Sequence, residues 1–244
     1  VHQIAQYSDA ILGIFPFEPA FYAKYGYKCH YVGNPTADSI REFQTLAINS
    51  QPSASPCIAI LPGSRPSEIS HCLPVMLSAA RKVAGHQYQI IVSAAPGIDD
   101  DFYLPYLKNE VLTRAPYATL ALAKAAVVNS GTATLETALI GCPQTAVYHV
   151  AGSKYLEWLL KPIIFKIKYF TLVNIIPKKE VIQELVGQRF SEENIIIELS
   201  RLLKDQPYRE QMLADYANIR TILGDTSAAQ NAAEIIAATP LSSH

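Results

Sequence analysis

The stretch Cys57-Ile58-Ala59-Ile60-Leu61-Pro62-Gly63-Ser64-Arg65-Pro66-Ser67-Glu68-Ile69 decides the fold. Its five apolar residues read as a buried strand, Pro62-Gly63 ends that strand, and Pro66 suits the first position of a helix predicted over Pro66 to Ala84. The same strand, turn and helix order recurs on both sides. Further strands are predicted at Ala10 to Phe15, Cys29 to Val32, Tyr88 to Val92, Val111 to Thr113, Ala125 to Asn129 and Gln144 to Tyr148. Helical periods fall at Pro19 to Tyr25, Ala37 to Ile48, Asp99 to Lys108, Ala118 to Lys124 and Thr132 to Ile140, with Gly26 and Gly141 where helix C-terminal caps belong. Short strands alternating with helices are what a parallel sheet with crossover helices requires. After Tyr148 the pattern becomes helix upon helix, ending in Pro207 to Ala238, and the sheet is read as complete. The fold class is α/β, a Rossmann-like doubly wound parallel sheet.

The 244 residues are 50% hydrophobic and 17% charged, enough to bury a sizeable core. Twenty basic against twenty-one acidic residues give a net charge of −1, which excludes nucleic-acid binding through bulk charge. No apolar run is long enough to span a bilayer and the N-terminus carries no secretory pattern, so the chain is expected neither to span a membrane nor to be secreted. Cys29, Cys57, Cys72 and Cys142 show no paired spacing and are read as buried, reduced thiols. The polar, proline-rich run from Asn49 to Pro56 reads as a loop ahead of a new sheet. Residues 1–50 are therefore expected to end a preceding domain, 51–206 to form the main domain, and 207–244 to be C-terminal helices and tail. Opening on Val1 and then a strand, the chain is expected to be the back part of a longer protein. No fixed-period repeat is visible.

Open α/β sheets bind ligands beyond the carboxyl ends of their strands. Two turns there carry suitable chemistry. In the first, Gly63 lets backbone approach a ligand, Ser64 can cap the helix or donate a hydrogen bond, and Arg65 places a fixed cation beside a helix N-terminus that favours phosphate. The alternative is a capped turn whose Arg65 pairs with a surface carboxylate. In the second turn, Ser130, Gly131 and Thr132 offer hydroxyls and amide donors at another helix start. Glu136, one helical turn beyond Thr132, faces the same way and could accept from a ribose diol. The alternative is a glutamate that merely complements the helix dipole. With no G-x-G-x-x-G present, two phosphate-grade turns in one sheet point to a nucleotide diphosphate other than a dinucleotide.

Phe15-Pro16-Phe17-Glu18 with Phe21-Tyr22, Tyr31-Val32-Gly33-Asn34-Pro35, Leu61 to Arg65 with Glu68-Ile69, Ser130 to Ala133 with Leu135-Glu136, and Leu172-Val173-Asn174 occur in an order and spacing that resembles the lipid-A-disaccharide synthases. The resemblance spans about Ala10 to Leu185. It implies the C-terminal half of a GT-B glycosyltransferase. The implied reaction transfers 2,3-diacylglucosamine from UDP to 2,3-diacylglucosamine 1-phosphate, inverting the sugar carbon and using no metal and no cofactor. It further implies that Gly63, Ser64, Arg65, Ser130, Gly131 and Thr132 hold the diphosphate of UDP, that Glu136 takes the ribose, and that Asn174 sits near sugar or acceptor. Arg65 and Asn174 are the catalytic candidates, with uracil against Arg114 to Tyr117. Arg65 and the helix ends would stabilise charge on the departing UDP.

The sequence also departs from that family. The part carrying the acceptor site and general base has no counterpart before Val1, so the chain is expected to bind UDP without turnover. Gly33-Asn34-Pro35 replaces Gly-His-Pro, and His149 stands where an arginine is common. From Lys154 to Lys179, six lysines against Glu157 give a local charge of +5, interleaved with Tyr155, Trp158, Phe165, Tyr169 and Phe170. Two readings stand: a segment lying on an anionic bilayer, or a covering helix with snorkelling lysines, which Pro162 would interrupt. The implied location is cytoplasmic, peripheral to the inner membrane, and a homodimer is possible. Asp99-Asp100-Asp101 is read as a helix start rather than a metal site. The histidines His2, His30, His71, His86 and His244 are read as structural. The rival functions are another UDP-N-acetylglucosamine enzyme of the same fold and a non-catalytic nucleotide-binding module.

Overall fold

The computed structural model describes residues 8–47, 56–129, 131–149 and 168–239. A small parallel pair, β1 (Ile11–Gly13) and β2 (Cys29–Tyr31), encloses the short helix α1 (Glu18–Ala23) and leads into α2 (Pro35–Ala47). The main sheet comprises β3 (Cys57–Leu61), β4 (Gln89–Ser93), β5 (Val111–Thr113), β6 (Ala123–Asn129), β7 (Gln144–Tyr148) and β8 (Glu184–Val186). They lie in the order β5-β4-β3-β6-β7-β8, and every neighbouring pair is parallel. The chain runs outward from β3 to one edge, returns to β6 beside β3, and continues to the other edge. That reversal between β3 and β6 is the topological switch point of a doubly wound sheet.

The switch-point strands owe their burial to residues of different size on their two faces. Ile58 and Ile60 of β3 and Val127 of β6 join a large core with Leu73 and Met76 of α3 (Pro66–Ala84). Leu199 of α7 (Glu192–Lys204) and Tyr216 of α8 (Gln206–Leu223) belong to the same core. The opposite face presents Ala59, Leu61, Ala126 and Val128 to Leu120 of α4 (Pro116–Leu122). Alternation at period two assigns these residues to two faces, and the alanines let helix and sheet approach closely. α5 (Thr132–Ile140) follows β6 and ends at Gly141, whose left-handed backbone (φ +97°) lets its N–H reach the carbonyls of Thr137 and Ala138.

Three expectations need correction. The sheet does not finish at Tyr148: β8 pairs with β7, joining Val147 to Leu185 in register. β8 is only three residues long, and its Glu184 accepts the N–H groups of Phe170 and Thr171 and the Thr171 hydroxyl. A strand that begins on a carboxylate used as a loop clamp carries little apolar pattern. Asp99 to Lys108 is two 3-10 turns, Asp100–Phe102 and Leu104–Tyr106, because Pro105 cannot donate to a continuing helix. The helix expected over Ala118 to Lys124 lies earlier, at Pro116–Leu122, and β6 takes over at Ala123.

The short helix α6 (Leu172–Ile175) precedes β8, and α9 (Ala228–Ala238) closes the described chain. The chain around α9 returns to the N-terminal segment. Ala228 N–H donates to Asp38 at 2.8 Å, the Asn231 amide to the Val32 carbonyl at 2.9 Å, and the Tyr31 hydroxyl to the Leu223 carbonyl at 2.6 Å.

Candidate functional site

The carboxyl ends of β3, β4 and β6 open on a cleft of about 530 Å3. Its walls include Gly63, Ser64, Arg65 and Glu68 after β3, Ser93 to Pro96 after β4, Pro116 and Tyr117 at the start of α4, and Asn129, Gly131, Thr132, Ala133 and Glu136 around the β6 turn. The two turns singled out in the sequence therefore face one space. Ser130 lies outside the described residues.

At the β3 turn, Gly63 has φ +121°, and a Cβ there would meet Asn129 Nδ2 at 2.6 Å and Glu68 Oε2 at 2.8 Å. Only glycine lets this loop pass so close to the end of β6. Ser64 does not cap α3. Arg65 occupies the cap position, without a side-chain cap bond. Glu68 reaches back instead: Oε2 accepts the Ser64 N–H at 3.1 Å and Oε1 pairs with Arg65 Nη1 at 2.8 Å. This is a variant of the capping box, in which a carboxylate three residues into the helix satisfies an amide ahead of it. The surface-carboxylate alternative is thus the arrangement observed. Arg65 is 75% exposed, so solvent screens the pair, which is worth about 0–1 kcal/mol. A diphosphate has little to displace.

At the β6 turn, Gly131 and Thr132 are exposed at the head of α5. The Thr134 hydroxyl donates to the Gly131 carbonyl at 2.8 Å, fixing the turn. Glu136, half-buried, interacts electrostatically with the Tyr117 phenol. Burial raises the Glu136 carboxyl above its usual range, with the Tyr117 phenol opposing it, and burial together with Glu136 pushes the Tyr117 phenol up to about 12. Tyr117 therefore keeps its proton opposite Glu136. Its pairing with Glu136 links two helices, α4 and α5, and no periodicity within either could announce it. Arg114 donates to the Ile98 carbonyl at 2.7 Å and pairs with Asp100 at 2.6 Å, so both tie down the loop beyond β4.

A family model described as lipid-A-disaccharide synthetase matches residues 1–238. The chain belongs to the lipid-A-disaccharide synthetase family. The lipid-A-disaccharide synthase of Koribacter versatilis is 33% identical over 98% of this chain, and that of Myxococcus xanthus is 34% identical over 97%. The match spans 64% of the length of each relative. Among solved structures, the UDP-GlcNAc 2-epimerase of Methanocaldococcus jannaschii, in complex with UDP-GlcNAc and UDP, superposes with a TM-score of 0.59 at 11% identity. It covers 94% of this chain and 61% of that one. The calicheamicin glycosyltransferase CalG4 gives 0.50 at 19% identity over 77% of this chain and 43% of that one. These likenesses are of fold, and the fold is that of a GT-B glycosyltransferase half.

Within this synthetase-family chain, Asn174 does not line the cleft. It is 1% exposed, and its side chain accepts from Val181 N–H at 2.7 Å and Ile182 N–H at 3.0 Å while donating to the Ile182 carbonyl at 2.9 Å. Three hydrogen bonds of that amide hold the loop before β8. Asn34 is likewise structural: its Oδ1 accepts the Ala37 N–H at 3.2 Å at the start of α2, and its Nδ2 donates to the Ile14 carbonyl at 3.0 Å. His149 stacks on His71, with ring centroids 4.8 Å apart. Most of the lysine and aromatic segment, from Lys154 to Lys166, lies outside the described residues. Of the remainder, Lys168 sits 5.1 Å over the Tyr169 ring and Lys179 pairs with Asp215 at 2.7 Å. Among the described residues, no helix is long and apolar enough to cross a membrane.

Sequence reasoning gave no role to two residues of the site. Glu68 was legible as the third helical residue after an uncapped start. Asn129, at the end of an apolar strand, carries a signal only in being a buried polar residue: its Nδ2 donates to the Pro62 carbonyl at 3.1 Å and links the two turns.

Proposed function

We propose that this chain is the donor-binding half of an inverting glycosyltransferase that moves 2,3-diacylglucosamine from UDP to 2,3-diacylglucosamine 1-phosphate. The observation that carries the proposal is the convergence of the β3 and β6 turns on one cleft at the switch point. Gly63, Ser64 and Arg65 hold the diphosphate from one side, and Ser130, Gly131 and Thr132 hold it from the other. Glu136 accepts from the ribose. As the bond from the sugar carbon to the diphosphate oxygen breaks, negative charge grows on UDP. Arg65 and the amide donors of the two turns meet it.

The reaction also needs a base to take the proton of the attacking 6-hydroxyl. We place that base in the part of the relatives' length that this chain does not match, and so propose binding of UDP without turnover by the 244 residues. The charge of +5 between Lys154 and Lys179, with its aromatic neighbours, supports docking on an anionic, cytoplasmic membrane surface where acylated substrates reside.

Calorimetric titration of UDP tests the site. Arg65→Ala and Glu136→Ala are each expected to weaken UDP by about tenfold or more, the worth of one charge-assisted hydrogen bond. Undiminished affinity in both variants, or no UDP binding by the unaltered chain, defeats the assignment.

A further inference from the structure

The wall of the cleft that follows β4, Ser93 to Pro96, is made of small residues packed close to the core, so that main chain rather than side chain meets a ligand there. Its N–H groups are already engaged. That of Ala94 donates to the Thr113 carbonyl at 2.8 Å, that of Ala95 donates to the Tyr103 hydroxyl at 2.8 Å, and Pro96 has none. From Ala94 to Pro96 the main chain therefore offers carbonyl oxygens and no donor.

The bond to Tyr103 is the one that a side chain controls. Tyr103 stands between the two 3-10 turns, is fully buried in the large core, and reaches back eight residues to Ala95. A phenylalanine would fill the same apolar space without bringing a polar atom into it, so the hydroxyl is explained by the amide it takes from the cleft wall. The rest of the turn is tied down around that anchor. Ile98 N–H donates to the Ala95 carbonyl at 3.3 Å, and Arg114, paired with Asp100, donates to the Ile98 carbonyl at 2.7 Å. Thr113, whose carbonyl holds Ala94, also accepts the Ala115 N–H on its hydroxyl at 3.1 Å, which couples this wall to the one that begins at Pro116.

A flat ring laid against a row of carbonyls is matched when the edge it presents carries an N–H. The imide nitrogen of uracil does, whereas the same ring position of cytosine carries a lone pair. We infer that Tyr103 is a positioning residue for recognition of the base: by holding the Ala95 N–H away from the ligand it makes the wall after β4 an acceptor surface that favours an imide. Tyr103 does not itself line the cleft and acts through Ala95. The inference rests on the UDP reading above and adds to it which residue sets the preference for the base.

The test titrates the 244-residue chain and its Tyr103→Phe variant with UDP, CDP and inorganic pyrophosphate. The parent is expected to favour UDP over CDP by about tenfold or more. Tyr103→Phe preserves the ring that packs in the core and frees the Ala95 N–H to turn toward the cleft. It is expected to weaken UDP by about five- to twentyfold while CDP and pyrophosphate stay within about twofold, so that the preference for UDP over CDP shrinks by the same factor. A merely structural role would weaken all three ligands alike and leave that preference where it was. A variant with the parent's preference, or a parent that binds UDP and CDP equally, overturns the inference while leaving UDP binding intact. If the parent does not bind UDP, the nucleotide reading falls, and the inference with it.

Discussion

Glu68 holds Arg65 at 2.8 Å with one carboxylate oxygen and the Ser64 N–H at 3.1 Å with the other. The same cation and the same amide are the groups proposed to receive the diphosphate. On the proposed binding mode, Glu68 occupies the groups that the ligand's oxygens would take and has to release them. Glu68→Gln keeps the side chain's length and an acceptor but removes the competing charge. It is expected to bind UDP about two- to fivefold more tightly, with a steeper loss on raising salt because Arg65 is left to the ligand alone. Calorimetry at two ionic strengths checks both; weaker binding by the variant would show that Glu68 organises the turn more than it competes.

The contact between the two turns is closest at Gly63. An added methyl would meet the Asn129 amide nitrogen at 2.6 Å and the Glu68 carboxylate at 2.8 Å, on a backbone whose φ of +121° strains any other residue. Gly63→Ala is expected to cost about 1–3 kcal/mol of stability and to separate the turns. Urea denaturation measures the first effect and UDP titration the second. A variant as stable as the parent and equal in UDP affinity would show that the loop relaxes freely.

The strand, turn and helix alternation made the doubly wound sheet legible, because a strand such as Cys57 to Leu61 is buried on both faces and carries no polar interruption. β8 was not legible for the opposite reason. Three residues headed by Glu184 have no period to read, and their place beside β7 is fixed by a clamp on Thr171 that only the folded chain displays. The turn residues Gly63 to Arg65 and Gly131 to Glu136 could be found because glycine, hydroxyls and charge after a strand have direct backbone and electrostatic consequences. The role of Asn129 could not, since it joins the turns from the end of another strand, and Tyr117 was reached only through the resemblance that set Arg114 to Tyr117 beside the nucleotide.

Glu110 closes the far end of α3. Its carboxylate, whose side chain is 5% exposed, accepts from Arg81 Nε at 2.6 Å and from the Lys108 N–H at 2.6 Å. Burial alone would raise this acid, but those hydrogen bonds outweigh it and hold the carboxyl at about 2. A depressed carboxyl stabilises the fold above its unfolded-state pKa, and the gain fades as pH falls from about 4.5 toward about 2. Glu110→Gln is expected to lose about 1–3 kcal/mol at neutral pH and to show a flatter stability profile across that window. Denaturant unfolding at pH 7, 4.5 and 3 measures it, and parallel profiles for variant and parent would mean that the ion pair contributes nothing to folding.

Asn174 and Arg65 make the sharpest contrast, since the resemblance makes both catalytic candidates yet only Arg65 lines the cleft. Removing the Asn174 amide leaves the N–H groups of Val181 and Ile182 and the Ile182 carbonyl unpaired in a buried loop. Asn174→Ala is therefore expected to lose about 2–4 kcal/mol of stability. UDP affinity should stay within about twofold, because the loop it holds leads to β8, at the sheet edge remote from the β3 and β6 turns. Thermal unfolding and UDP calorimetry on one preparation separate the two effects. Asn174→Asp keeps the acceptor for both N–H groups and should recover part of the stability. A variant that melts like the parent while losing UDP would return Asn174 to the binding machinery, since only contact with the ligand would then explain the motif.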